Sequence, residues 1–562
     1  MPGADRFRRD ERALSVTNAH TTGAMLAAAI ICAAAAPAPT CGTVVLPSGL
    51  GQADPQAVNS LNPLLTSLTY NLQIMQQIYR PLVWLDRHVN YDPGASLASA
   101  VTTSDGGRTW HFTIKPWHWS DGVPVTASDV LFTFETIRRL GPAYVSYGIG
   151  GIPDFIADVR SDSRHDVTLT LDRSVNPDWF LRTGLSIMVL PEHVYRGMTL
   201  EQMRMRQTDP DLFRVSDGPF MLDDFVVGRH LTLVRNPLYG GTKPAIHRLV
   251  VDFLEGGSPL QALRAGEIDA ADIPFRLWDL ARALPGFATT RLDGPFGYMV
   301  LYLNMHSATA PSLRDVRVRR AIALAIDQAE MIALAWHGQA GEVHGPVPPA
   351  MTGFVSQAAR EGYPSLRHDP AQARALLDEA GWRPGPDGIR TRNGRALRFS
   401  IGVSAGVVDR LVELQVAQRN LAAVGIAVDL HGLEFNDLIA TMRGNGHDWE
   451  GNMIGQTIEG YPDGQQFFSA DGASNYGHYE DAKMDALNRA VVSDAGAQAL
   501  QAAQDYTAGQ QPVIFLPDGA ISLLARPEVH GLREMESPLG SWSPELLSLS
   551  GDMACNAERA AR

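Results

Sequence analysis

The chain has 562 residues, 45% of them apolar, and its 61 acidic and 47 basic side chains give a formal net charge of −14. That length exceeds the roughly 300 residues that one hydrophobic core sustains, so several lobes are required. The apolar fraction excludes a disordered chain, and the acidic balance excludes non-specific capture of nucleic acid, which needs a basic footprint. The cysteines Cys32, Cys41 and Cys555 are too few and too scattered for a disulfide scaffold or a four-thiolate zinc site.

Residues 1–40 read as an export segment. Arg6, Arg8, Arg9 and Arg12 precede an unbroken run of small and apolar residues from Gly23 to Ala36, and Pro37 to Thr40 follow. This is the order of a secretory signal, and the run is shorter than the roughly 20 residues a membrane span needs. Lipidation wants a small residue before the cysteine, whereas Ile31 precedes Cys32 and Thr40 precedes Cys41. Whether the signal is of the lipoprotein, general secretory or twin-arginine type stays open. The mature chain is expected outside the cytoplasm, in the periplasm or at the outer face of the cytoplasmic membrane, free or lipid-anchored.

Along the mature chain, strand-like and helix-like stretches alternate. Trp110 to Ile114 has the period of a strand. Thr126 and Asp129 have capping-box spacing; Val130, Phe134 and Ile137 share the face that follows, and Gly141-Pro142 stops the helix. Val167 to Leu171 is a short strand, and His230 to Arg235 reads as the second strand of a hairpin. Ser312 and Asp315 are expected to cap a helix holding Val316, Ile322 and Ile326. Asp369-Pro370 starts another helix, with Leu376, Leu377 and Ala380 inward and Gly381 at its end. Residues 397–431 form the clearest unit: strand, helix, a turn at Gly425, strand. That is a βαβ crossover, which demands parallel pairing.

Motifs for chemistry are missing. No phosphate-binding loop, zinc-protease motif, nucleophile elbow or paired C-x-x-C occurs. Gly148, Gly150 and Gly151 miss dinucleotide-binding spacing and read as loop glycines. His111, His118, His337 and His344 lack the spacing of helical metal ligands, so no metal, cofactor or catalytic residue is assigned, and the chain is expected not to be an enzyme.

Trp110 to Phe134, WHFTIKPWHWSDGVPVTASDVLFTF, resembles the signature of family 5 extracytoplasmic solute-binding proteins, the peptide and nickel class serving ABC importers. The matching residues are Trp119, Ser120, Asp121, Gly122, Pro124, Thr126, Ala127, Asp129 and Val130. Further segments match in the family's order. They include Asn59–Leu65, Tyr79–Leu85, Leu190–His193, Ser216–Phe220, Arg235–Tyr239, Ala265–Asp269, Tyr302–Asn304, Arg314–Ile326 and Ala375–Trp382.

The resemblance implies an α/β fold, a three-lobed periplasmic-binding-protein type II clamshell with mixed sheets. Lobe I would be discontinuous, from 43–80, 190–302 and 512–555. Lobe II would be 81–189 and lobe III 303–511, with ligand held between lobes I and III by hinge closure. Cys41 and Cys555 then fall at the two ends of lobe I, and whether they are joined stays open. The implied function is capture of a short peptide or peptide-like solute for a membrane ABC permease, by a monomer that binds no nucleic acid. A nickel chelate, haem, opine or oligosaccharide receptor, or a sensory module on the same fold, is the alternative.

In peptide-binding members a carboxylate just before a Y-P-D-P-like element holds the ligand's amino group, with a Trp close by. The matching stretch here is Gln456 to Phe468, in which the anchor position falls on Gly460 and the Trp position on Thr457. Candidate ligand residues are therefore Glu459, Tyr461 and Asp463. Asn304 at the expected lobe crossing, Asp217 in the S-D-G-P-F turn and Trp449 before the hinge stretch join them. Trp119 and Asp121 are assigned to lobe II structure.

Overall fold

Local sequence rules account for much of the secondary structure. In the computed structural model Asp129 accepts the Thr126 backbone N–H at 2.9 Å, closing the capping box on helix Ala127–Leu140. Gly141, at φ +52°, ends that helix. Helix Pro370–Glu379 has Asp369 as its N-cap and Gly381 just beyond its end at φ +83°. One expectation needs correction. Helix Val316–Ala325 is capped by Asp315 alone, because Ser312 belongs to a separate tight turn, Pro311–Arg314, and Ile326 lies past the helix end. The structure describes residues 42–553 apart from 51–57, 67, 255–257, 293, 295, 406, 445–447, 459, 494–496 and 518. The export segment, all three cysteines and Glu459 lie outside the described residues.

The architecture is mixed α/β. One four-stranded sheet pairs Thr43–Pro47 parallel with Arg248–Asp252, which continues antiparallel through His230–Arg235 to Phe220–Val226. A three-stranded sheet joins Ala288–Leu292, Ile521–Ala525 and Ala270–Asp272. The start, middle and end of the described chain therefore meet. The Gly42 N–H donates to the Met553 carbonyl at 2.8 Å, and Asp269 accepts the Val45 N–H at 2.7 Å.

An antiparallel four-stranded sheet, in the order Ala98–Ser104, Thr109–Ile114, Asp166–Leu171, Ile156–Ser161, carries helix Ala127–Leu140. Trp110 and Trp119 are fully buried, and Trp119 sits edge-on to Tyr79 with ring centroids 6.3 Å apart.

The largest sheet orders Ala427–Leu433, Arg398–Ser404, Gly451–Thr457, Gly297–Leu303 and Val513–Leu516. The first two strands are parallel across helix Val408–Ala423, the crossover read from sequence, and Gly425 turns at φ +89°. Gly297–Leu303 has a strand hydrogen-bonded on each side and is buried at every position. Such an unbroken apolar run is what a central strand requires. Beside this sheet Arg319 is almost wholly buried. Its guanidinium donates to the carbonyls of Leu313, Arg314, Gln510 and Gln511 at 2.8–3.2 Å, which meets the demand of a buried charge for hydrogen bonds.

Candidate functional site

The described surface encloses a cavity of about 330 Å³ between the stretches 147–179 and 458–473, with Tyr298 and Pro346 completing its lining. Its walls are built by local rules. Gly150 and Gly151 lie in the left-handed region, at φ +61° and +71°. A side chain on Gly150 would meet the Gly184 backbone at 2.4 Å, and one on Gly151 would strike the Phe155 ring at 2.2 Å. These glycines serve close packing and expose loop backbone to the cavity.

Opposite this loop, Asn176 caps helix Pro177–Thr183 by accepting the Asp178 N–H at 3.0 Å. Its amide donates to the Tyr461 hydroxyl and to the Val491 carbonyl, both at 3.1 Å, so a single residue ties the two walls together. Tyr461 packs edge-on against Phe354 with centroids 5.2 Å apart. From the same helix Trp179 donates its indole N–H to one oxygen of Asp463, while the other oxygen accepts the Gln465 N–H at 2.8 Å. Burial raises the Asp463 pKa, and these two bonds only partly offset it.

Two of the six sequence candidates, Tyr461 and Asp463, line this cavity together. The other described candidates lie elsewhere. Asn304 is wholly buried, donating to the Trp449 carbonyl at 2.9 Å and accepting the His306 N–H at 3.0 Å. It locks the end of the central strand to the residues before Gly451, and Trp449 is buried with it. Asp217 accepts the Arg80 N–H at 2.9 Å in a sealed junction, where Arg80 also pairs with Glu545 and donates to the Tyr239 hydroxyl at 3.1 Å. Burial pushes the Asp217 pKa up to about 8.

Gly460 explains the missing anchor. A Cβ there would sit 2.3 Å from Leu85 Cδ1 and 2.8 Å from the Arg182 carbonyl oxygen, so the position cannot present a carboxylate. Trp179, Phe155, Asp154 and Asp471 also line the cavity and were not anticipated from sequence. The Asn-Pro helix start at Asn176 was the one available signal for Trp179. A second, wider groove of about 750 Å³ runs past His306, Arg314, His478 and Asp481. Among the described residues no group of three or more His, Cys, Asp or Glu is placed to hold a metal ion, and no helix is long and apolar enough to cross a membrane.

Comparisons with known proteins agree on the fold. Protein XP55 of Streptomyces lividans is 26% identical over 85% of this chain and 84% of its own length. The probable D,D-dipeptide-binding periplasmic protein DdpA of Escherichia coli is 30% identical over 59% of this chain and 62% of its own. The oligopeptide-binding protein AppA of Bacillus subtilis, solved in complex with a nonapeptide, superposes with a TM-score of 0.74 at 20% identity, covering 92% of this chain and all of that one. The clamshell fold class expected from sequence is thereby met. The model of the bacterial extracellular solute-binding proteins, family 5, matches residues 92–478, and the chain belongs to that family.

Proposed function

We propose that the protein captures a short peptide or peptide-like solute outside the cytoplasm and presents it to a membrane ABC permease. The observation that carries this reading is the cavity joining 147–179 to 458–473, in a family member similar to the oligopeptide-binding protein AppA and the probable D,D-dipeptide-binding protein DdpA. About 330 Å³ is at the small end of the roughly 300–1,000 Å³ of small-molecule sites, which suits a compact ligand rather than a long chain.

The lobe division supports a hinged mechanism. Lobe I takes 43–80, 190–302 and 512–555, lobe II takes 81–189, and lobe III takes 303–511. The strand Gly297–Leu303 crosses the border near 302, and Val513–Leu516 begins just past the border at 511, so the two chain crossings lie side by side where Tyr302 pairs with Val513. Closure then depends on ligand contacts made only in the closed form, since a ligand with equal affinity for both states moves nothing. On this division the cavity is lined from lobe III by Asp463 and Tyr461, from lobe II by Trp179 and the 148–151 loop, and from lobe I by Tyr298, whereas ligand between lobes I and III was expected from sequence. Glu459, next to the blocked Gly460, is a further candidate. Residues 1–40 direct export, and the mature chain acts as a monomer.

Native mass spectrometry of the gently purified mature chain tests the reading. Co-purified di- to tripeptides are expected. A single bound species with no amide bond would overturn it.

A further inference from the structure

We infer that this cavity holds an aromatic side chain, so that its solute is a short peptide bearing Phe, Tyr or Trp, with the solute's peptide group on Gln465 and Gln466. The inference rests on the cavity being the ligand site. Seven of its 22 lining residues are aromatic, against 8% of the whole chain. Trp179, Tyr298 and Tyr461 are buried and form a fixed wall. Phe155 and Phe467 are half-buried and Tyr147 is exposed, so these three rings have surface left to offer. The Arg173 guanidinium lies 4.1 Å from the Phe155 ring centroid, and Gly151 packs closely on the same ring. Phe467 is therefore the least encumbered of the three.

The polar group on each of these rings already has a protein partner. The Tyr147 hydroxyl donates to Asp154 at 2.6 Å, and the Tyr298 hydroxyl donates to the Pro346 carbonyl at 2.9 Å. Trp179 donates to Asp463, and the Tyr461 hydroxyl accepts the Asn176 amide. What the rings leave for a ligand is carbon surface. Water held there is poorly bonded, and displacing it with an apolar group gains affinity. A ligand ring gains further, because edge-to-face and offset ring pairs are worth more than their buried area alone. The polar half of the site comes from one turn. Gly464, at φ +70°, starts the helix Gln465–Phe468, all four of whose residues line the cavity. Gln465 and Gln466 are half-buried, and among the described residues their side-chain amides have no hydrogen-bond partner. A primary amide carries both donors and an acceptor, the complement of a peptide N–H and C=O. One side chain with its peptide group also suits a cavity of about 330 Å³.

The test is calorimetric titration of the dialysed mature chain with Ala-Phe, Ala-Leu, Ala-Ser and 3-phenylpropanamide. Affinity is expected to fall in the order Ala-Phe, Ala-Leu, Ala-Ser, by about tenfold or more between first and last and roughly threefold between first and second. Phe467→Leu should bring Ala-Phe to within about twofold of Ala-Leu and leave Ala-Ser unchanged. Tyr147→Leu, at an exposed position, should narrow the same ratio and carries the test if Phe467→Leu does not fold. The double variant Gln465→Ala with Gln466→Ala should weaken all three dipeptides by about fivefold or more while keeping their order. Equal binding of the three dipeptides, or a preference for Ala-Phe that survives the ring variants, overturns the inference and leaves the peptide reading standing. Binding of 3-phenylpropanamide alone keeps the aromatic subsite and overturns the peptide reading. No binding of any probe at millimolar concentration overturns the inference, and the peptide reading is then decided by the co-purified ligand.

Discussion

Two carboxylates occupy contrasting settings, Asp217 wholly buried and Asp463 half-buried. Asp217 lies beside the Arg80–Glu545 pair, which joins segments 465 residues apart, and accepts the Arg80 backbone N–H in a wholly buried setting. Asp463 lies on the cavity, where the protein supplies hydrogen bonds but no cation. Both have raised pKa values for the same reason, loss of water. A perturbed carboxylate is therefore not itself a sign of function. What separates the two is position: Asp217 is sealed in the interior, whereas Asp463 lines a cavity that a ligand can enter.

The sharpest way to break the comparison is at the sealed junction. Glu545→Ala leaves Arg80 buried and unpaired, and should cost about 3–5 kcal/mol in urea unfolding. A cost below about 1 kcal/mol would mean the junction is not the structural one described. Next comes the pH dependence. Asp217 keeps a proton in the folded state up to about pH 8, whereas in the unfolded chain it loses that proton near 3.8. Its contribution is complete below pH 3.8 and is lost as pH rises to about 8, with a slope of up to about 1.4 kcal/mol per pH unit. Asp217→Asn should flatten the stability profile across that window, and an unchanged profile would place the titration elsewhere.

At the cavity, Gly460→Asp restores the family's acid at the position blocked by Leu85 and Arg182. It should destabilise by about 1–3 kcal/mol through overpacking and bring no gain in peptide affinity. Unaltered melting together with tighter amine binding would mean that the position is not blocked. The smallest effect is expected from Tyr461→Phe, which removes one acceptor for the Asn176 amide and should cost about 0.5–1.5 kcal/mol in thermal unfolding.

The scaffold was readable because its instructions are local. Thr126 with Asp129, Asp369-Pro370 with Gly381, and the turn at Gly425 each act within a few residues, and each is found in place. The family resemblance supplied the order in which distant segments meet. The cavity was only half readable. Tyr461 and Asp463 stand in a recognisable stretch, but the bond from Trp179 to Asp463 spans 284 residues and leaves no pattern in either segment. Asn304 was a candidate because it stands at the expected lobe crossing, and Asp217 because it stands in the S-D-G-P-F turn. Here backbone partners bury them, Asn304 on Trp449 and Asp217 on Arg80. The block at Gly460 depends on Leu85, some 375 positions earlier in the sequence, and only the folded chain shows it.

The most direct measurement of the central claim is amide hydrogen exchange of the mature chain with and without Ala-Phe. The account predicts ligand protection centred on 147–155 and 461–473, with the 216–220 turn unchanged. Protection centred instead on 305–319 and 478–481, around the wider groove, would contradict it.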